Sequence, residues 1–201
     1  MAKIKHTKNE LKAQRDALKR YKRYLPTLQL KKQQLQMELR KLDALMAEKE
    51  EAERAVREDL AQWIKLFAEP FDFSEYLRVG ALELADGNIA GVSIPVLETL
   101  TFERAQPDPF ATPAWVDDGL KVLESLTQLR VELRILRAQR DRLGEELRVT
   151  TQRVNLFEKV KIPECTEHIR VIRIFLGDLQ TSEVARSKIA KAMAVEKARA
   201  Q

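Results

Sequence analysis

LKAQRDALKRYKRYLPTLQLKKQQLQMELRKLDALMAEKEEAERAVREDL, from Leu11 to Leu60, repeats its apolar side chains every seven residues. With Leu11 at position a, the a series reads Leu11, Leu18, Leu25, Lys32, Leu39, Met46, Glu53, Leu60 and, beyond the quoted stretch, Phe67. The d series reads Gln14, Tyr21, Leu28, Leu35, Leu42, Lys49, Val56 and Trp63. Thirteen of these seventeen positions are apolar in one register. A stripe held over so many heptads predicts a coiled-coil seam rather than one face of a globular helix. Thr7-Lys8-Asn9-Glu10 has capping-box spacing and predicts the helix start. Pro70 predicts its end, which implies a helix on the order of 90 Å at 1.5 Å per residue. Pro26 removes one backbone hydrogen bond inside the pattern, and a bend without a break is expected there, because the register holds on both sides.

A second stripe lies downstream. Its a series is Val122, Leu129, Leu136, Leu143, Thr150 and Phe157, and its d series Leu126, Leu133, Arg140, Leu147, Val154 and Lys161. The phase drifts around Pro163, after which Ile169, Ile172, Leu176 and Leu179 carry the stripe. Between the two helices, residues 70–116 hold five of the seven prolines and three of the six glycines, and the heptads stop. Within that region Ala81–Leu84 and Ile89–Ile94 flank Asp86-Gly87-Asn88, residue types that tolerate the positive φ of a tight turn, which predicts a short β-hairpin turning at Asp86-Gly87-Asn88. The expected fold is therefore mainly all-α: a long antiparallel two-helix coiled coil with a small inserted region carrying a short β-hairpin. Its parts are an N-terminal helix over 1–69, the insertion over 70–116 and a C-terminal helix over 117–201, in one coiled-coil domain. Leu18, Leu25, Leu28, Leu35, Leu39 and Leu42 on the first helix meet Leu129, Leu133, Leu136, Leu143, Leu147 and Val154 on the second.

The chain has 201 residues, 36 Lys+Arg against 31 Asp+Glu, and only 6% aromatics. A third of it is charged, which disfavours a compact two-layer enzyme core. The charge is segregated: residues 1–32 carry +9, residues 69–124 carry −8, and residues 184–201 carry +4. An antiparallel return sets both basic segments side by side, with the acidic insertion at the opposite end. Such asymmetry marks either a partner surface or solvated faces. Polar residues at seam positions, namely Lys32, Lys49, Glu53, Arg140 and Lys161, either fix register or snorkel out of a two-helix seam; an open seam favours snorkelling.

Chemistry is sparse. Gly87-Asn88-Ile89-Ala90-Gly91 lacks the Lys-Ser/Thr of a phosphate loop, so no nucleotide cofactor is expected. Cys165 and His168 stand at i, i+3, but zinc needs two more ligands and the other histidine, His6, is terminal. Glu145 and Glu146 are adjacent and diverge on a helix, so no acid–base pair converges and no catalytic residue is assigned. Residues 1–6 have no apolar signal region, no stretch is long enough to span a membrane, and the single cysteine fits a reducing cytoplasm, so no direct membrane insertion is expected. The basic end is compatible with an RNA-binding or scaffolding coiled-coil module. Against nucleic acid, Tyr21 and Tyr24 are the only aromatics among the basic residues, and Tyr21 is on the seam.

Thr7-Lys8-Asn9-Glu10-Leu11, Tyr24-Leu25-Pro26-Thr27-Leu28-Gln29-Leu30-Lys31-Lys32, Thr112-Pro113-Ala114-Trp115-Val116-Asp117 and, most specifically, RVNLFEKVKIPE from Arg153 to Glu164 resemble the D subunit of the V-type (archaeal/vacuolar-like) ATP synthases of bacteria. The resemblance covers about Ile4 to Met193. It implies a non-catalytic central rotor shaft in a complex peripheral to the membrane. Its coiled coil would enter a hexamer of A and B subunits, and its lower part would bind the F subunit and rest on the C subunit of the central stalk. It further implies that Lys8, Lys12, Arg15, Lys19, Arg186, Lys188 and Lys191 face the hexamer, and that the hairpin residues Asp86, Gly87, Asn88 and Ile89 lie outside it and modulate the motor. A gamma-type shaft of the F-type enzymes is disfavoured, because an insertion with one hairpin is too short for an α/β domain.

Overall fold

The computed structural model describes residues 4–61, 71–108, 110 and 112–199. Helix α1 spans Lys8–Ala61, strand β1 Leu77–Ile89, strand β2 Val92–Arg104, helix α2 Val116–Asn155 and helix α3 Ile162–Arg199, with a π-helical turn at Leu156–Lys161 joining the last two. The described residues are mainly helical, with one antiparallel two-stranded sheet. It divides into two compact units, one of residues 1–30 with 150–201 and one of residues 31–149.

Helix α1 starts where Thr7 Oγ1 accepts a hydrogen bond from the Glu10 amide at 3.2 Å. The reciprocal half of the expected capping box is absent, because the Glu10 carboxylate accepts from Gln14 Nε2 at 2.8 Å instead. The helix runs through Pro26 without interruption. Every a and d position from Leu11 to Leu60 is buried or half-buried, the polar ones included. Trp63, Phe67 and the helix end near Pro70 lie outside the described residues.

In the unit of residues 31–149, α1 and α2 run antiparallel and are tied at the seam margins by ion pairs. Lys31 Nζ meets Glu146 Oε1 at 2.6 Å, Arg140 Nε meets Asp43 Oδ1 at 2.7 Å, Lys49 Nζ meets Glu132 Oε2 at 2.7 Å and Arg130 Nε meets Glu53 Oε1 at 3.2 Å. Lys49, Glu53 and Arg140 therefore reach out of the seam as expected of snorkelling chains, and each then finds a partner on the opposite helix. Arg140 goes furthest: it is exposed, and its neighbour Gln139 is buried in its place, donating from Nε2 to the Pro95 carbonyl at 2.6 Å. The Arg140–Asp43 pair, exposed on both sides, is worth about 0.2–1 kcal/mol, and all four pairs bear on register. Burial opposes ionisation of Glu132, but the Lys49 ammonium beside it and a hydrogen bond from Gln128 outweigh it and hold the carboxyl below its ordinary value. A lowered carboxyl pKa stabilises the fold above the unfolded value, and that contribution is lost as pH falls through the lowered one.

The hairpin differs from its sequence expectation. Asp86, Gly87 and Asn88 are inside β1, paired with Pro95, Ile94 and Ser93, and Ile89 pairs with Val92. The turn is Ala90-Gly91, at φ +52° and +78°, the positive φ at both central residues that a type I′ turn requires. Asn88 Oδ1 accepts from the Gly91 amide at 3.0 Å and closes it. Gly87 is needed for a different reason: a Cβ there would sit 2.6 Å from Val96 Cγ2. Each strand is 13 residues long. The hairpin does not stand off the helices. Ile94, 2% exposed, forms one cluster with Leu35, Leu42 and Leu143, against which Ile89, Ala90 and Val92 also pack. Open space surrounds a Cβ at Gly91, so Gly91→Ala is expected to cost only the left-handed backbone penalty, about 1–2 kcal/mol, read as a lowered unfolding midpoint.

In the unit of residues 1–30 and 150–201, Tyr21 packs on Phe157 with ring centroids 5.0 Å apart and His6 on Phe175 at 4.8 Å, which again makes α1 antiparallel to its partner. The phase drift near Pro163 has a defined origin. The Ile162 amide donates to the Phe157 carbonyl, five residues back, in the π-helical turn. Pro163 has no N–H and its ring would press on the carbonyl four residues back; a wider turn ahead of it relieves that clash by inserting one residue. Continued heptads from Thr150 and Val154 would bury Glu164, His168, Val171 and Phe175. The chain instead buries Cys165, Ile169 and Ile172 and half-buries Leu176, each one position later. Deleting Val160 together with Pro163→Ala is therefore expected to give a continuous α-helix that keeps its stripe and its unfolding midpoint. Deleting Arg134, with no π-turn to absorb it, is expected to lower the midpoint strongly. Circular dichroism during heating compares the two, and equal losses would remove the phase role from the π-turn.

Candidate functional site

Lys8, Lys12, Arg15 and Lys19 recur at i, i+4, i+7 and i+11 and so share one face of α1; all four are exposed. Lys22 continues the same spacing at i+14, a signal present in the sequence and missed there. Across from this face, α3 contributes Arg170 and Arg173, so that Arg15, Lys19, Lys22, Arg170 and Arg173 rim a groove of about 730 Å³ floored by Leu18, Ile169 and Ile174. Glu167 engages Arg170 through two hydrogen bonds of 2.9 and 2.6 Å, and these hold the Glu167 carboxyl below its ordinary value. Arg15, Lys19, Lys22 and Arg173 make no ion pair among the described residues, which leaves their charge free to act outward.

Arg186, Lys188 and Lys191 do not join this groove. With His6 beside Phe175 and Tyr21 beside Phe157, the basic part of α1 lies along residues from about Phe157 to Phe175, not beside residues 184–201 as expected from sequence. The cause is the length of α3, which continues to Arg199. From Gly177 to Glu196 every side chain is exposed, including Val184 (56%), Ile189 (56%) and Met193 (64%), and no described residue covers them. The single basic tip expected from sequence is thus two basic surfaces, one groove and one bare helical extension.

On the other side of the α1–α3 pair, a cavity of about 850 Å³ is lined by Ile4, Glu10, Lys161, Glu164, His168 and Val171, among others. Cys165 is buried, which pushes its thiol pKa up, and His168 Nδ1 is buried with no hydrogen-bond partner among the described residues. Among the described residues, no three His, Cys, Asp or Glu side chains are placed to hold a metal ion, and no helix is long and apolar enough to cross a membrane.

The family model for the D subunit of ATP synthase matches residues 10–192. The V-type ATP synthase D subunit of Borreliella burgdorferi is 48% identical over 199 residues, which covers 99% of this chain and 98% of the relative. The V-type ATP synthase D subunit of Chlamydia caviae is 32% identical over 191 residues, covering 94% and 92%, and that of Chlamydia pneumoniae is 32% identical over 191 residues, covering 94% and 91%.

Proposed function

This chain belongs to the family of ATP synthase D subunits, and from that membership we propose that it is the central rotor shaft of a V-type ATP synthase. In this reading it couples ATP synthesis or hydrolysis in a hexamer of alternating A and B subunits to ion transport, by rotating inside that hexamer. The shaft itself is non-catalytic and peripheral to the membrane. The F and C subunits of the complex bind its remaining length, and Asp86 to Ile89 of the hairpin act on the motor, with Ile89 packed on the core beneath them.

The observation that carries this reading is the bare extension of α3. A helix alone in water is marginal, because most helical stability in proteins comes from packing an apolar face. From Gly177 onward α3 keeps Val184, Ile189 and Met193 in solvent among Arg186, Lys188 and Lys191. Enclosure by an annular wall supplies apolar contact for the first set and opposite charge for the second. Cations on an exposed stripe suit a rotating contact, since each exposed pair is weak and exchangeable, about 0.2–1 kcal/mol, and none arrests the shaft at one angle. An asymmetric object in a ring of repeated subunits makes the catalytic interfaces unequal, and turning it exchanges their nucleotide affinities.

The test is reconstitution with A and B subunits immobilised on a surface and a bead attached to the chain through a cysteine placed in the hairpin. Stepwise rotation of the bead with ATP is expected. An assembly that contains the chain and hydrolyses ATP while the bead stays still overturns the shaft, and failure of the chain to enter the A and B assembly overturns the placement inside it.

A further inference from the structure

The two halves of the hairpin differ in what supports them. Its turn half packs through Ile89, Val92 and Ile94 on the Leu35–Leu42–Leu143 cluster. Its other half, residues 77–84 paired with 97–104, buries no residue. A two-stranded ribbon in water is marginally stable unless one face packs on something. That half nevertheless carries a continuous apolar face. Leu82 and Leu84, two apart on β1, share a face; Leu100 pairs with Leu82, and Leu97 pairs with Leu84 across a register shift that leaves Glu98 as the extra residue on β2, so both β2 leucines join that face. Leu82 is 49% and Leu84 51% exposed. Asp86 continues this face and Glu98 stands at the register shift beside Leu97, while Glu83 and Glu103 alternate to the other side of the same stretch of ribbon. All four carboxylates are exposed, and none makes an ion pair or side-chain hydrogen bond among the described residues.

We propose that the four-leucine face of the hairpin is a docking surface for a partner helix that is apolar along one side and lined with lysine or arginine along its flanks. The leucines supply the non-directional part of the affinity, and the unpaired carboxylates choose the sign of the partner's charge. A second copy of this chain is a poor occupant, because a two-fold contact between hairpins would bring these carboxylates against their equals. A nucleic acid is excluded by the same charge. Docking on this face stands whether or not the chain turns inside a ring.

The probe is a fluorescent synthetic helix of about 18 residues, leucine on one face and lysine on its flanks, titrated with the full chain and followed by anisotropy. A second probe carries glutamate in place of lysine. The lysine helix is expected to bind saturably and to lose roughly tenfold in affinity, about 1.4 kcal/mol, in Leu82→Ser/Leu84→Ser and also in Asp86→Asn/Glu98→Gln. The control variant Met37→Ser/Leu45→Ser, at exposed apolar positions of α1, is expected to bind as the parent does. The glutamate helix is expected to respond to neither set of hairpin changes. Unchanged circular dichroism and unfolding midpoint in the leucine variant keep the reading free of misfolding. Equal affinity for both helices, or parent-like affinity in the leucine variant, overturns the proposal. So does a concentration-dependent dimer abolished by the leucine changes, which would assign the face to a contact between copies.

Discussion

Leu143→Asp is expected to lower stability by several kcal/mol and to uncouple α1, α2 and the hairpin together. Leu143 is 0% exposed and joins Leu35 and Leu42 of α1 to Ile94 of β2, so one side chain serves both the seam and the hairpin. Truncating a buried leucine to alanine already costs about 2–5 kcal/mol. A carboxyl in the same place also loses its water among leucine and isoleucine side chains. Against a typical total of about 5–15 kcal/mol, that loss leaves little folded population under mild denaturant. Leu143→Met keeps volume and polarity and should cost less than about 1.5 kcal/mol. Urea titrations of both variants decide the matter, and coincident midpoints would place Leu143 outside the core.

Reversing the groove cations together, Arg15, Lys19, Lys22 and Arg173 to Glu, is the second change with a large expected effect. These side chains carry no ion pair among the described residues, so the free chain should keep its unfolding midpoint. Association with the A and B assembly should slow by roughly ten- to a hundredfold at low salt, because opposite-charge steering raises association rates by factors of that order. At high salt the difference should shrink, as exposed charges are screened beyond about 8 Å at physiological ionic strength. Stopped-flow mixing at two salt concentrations gives both numbers. Equal rates for parent and variant at low salt would reduce the groove to a solvated face. Adding Arg186→Glu, Lys188→Glu and Lys191→Glu on the α3 extension then separates the two basic surfaces, which the pairing of His6 with Phe175 keeps apart.

Helix type, seam and the antiparallel sense of return were all readable in the chain, and so was the existence of a hairpin. The side chain of a helical residue points in a direction set by its own backbone and by a period of 3.6, so Leu11 to Leu60 reveal their shared face without reference to anything else. Two such faces in one chain, joined by a proline-rich connection, bury themselves most simply against each other, and the pairs Lys31–Glu146 and Lys49–Glu132 record that antiparallel return. The i+4, i+7 spacing of Lys8, Lys12, Arg15 and Lys19 likewise carried the basic face, and the same arithmetic extended it to Lys22.

Three features depended on partners distant in sequence. Asp86-Gly87-Asn88 has better intrinsic turn chemistry than Ala90-Gly91, yet the turn falls at Ala90-Gly91. That register puts Ile94 and Ile89 on the Leu35–Leu42–Leu143 cluster, while burial of one face outweighs the left-handed penalty at a single alanine. The one-residue phase shift after Leu156–Lys161 is visible in sequence only as a proline, because whether Pro163 ends, bends or rephases a helix is decided by what the following turns can bury. The offset that leaves α3 bare beyond Leu176 was beyond reach of local reading altogether. Periodicity states which face of a helix is buried and says nothing about which turn of the partner lies opposite; that alignment is chosen by contacts such as Tyr21 on Phe157, whose energy exists only once both helices are in place.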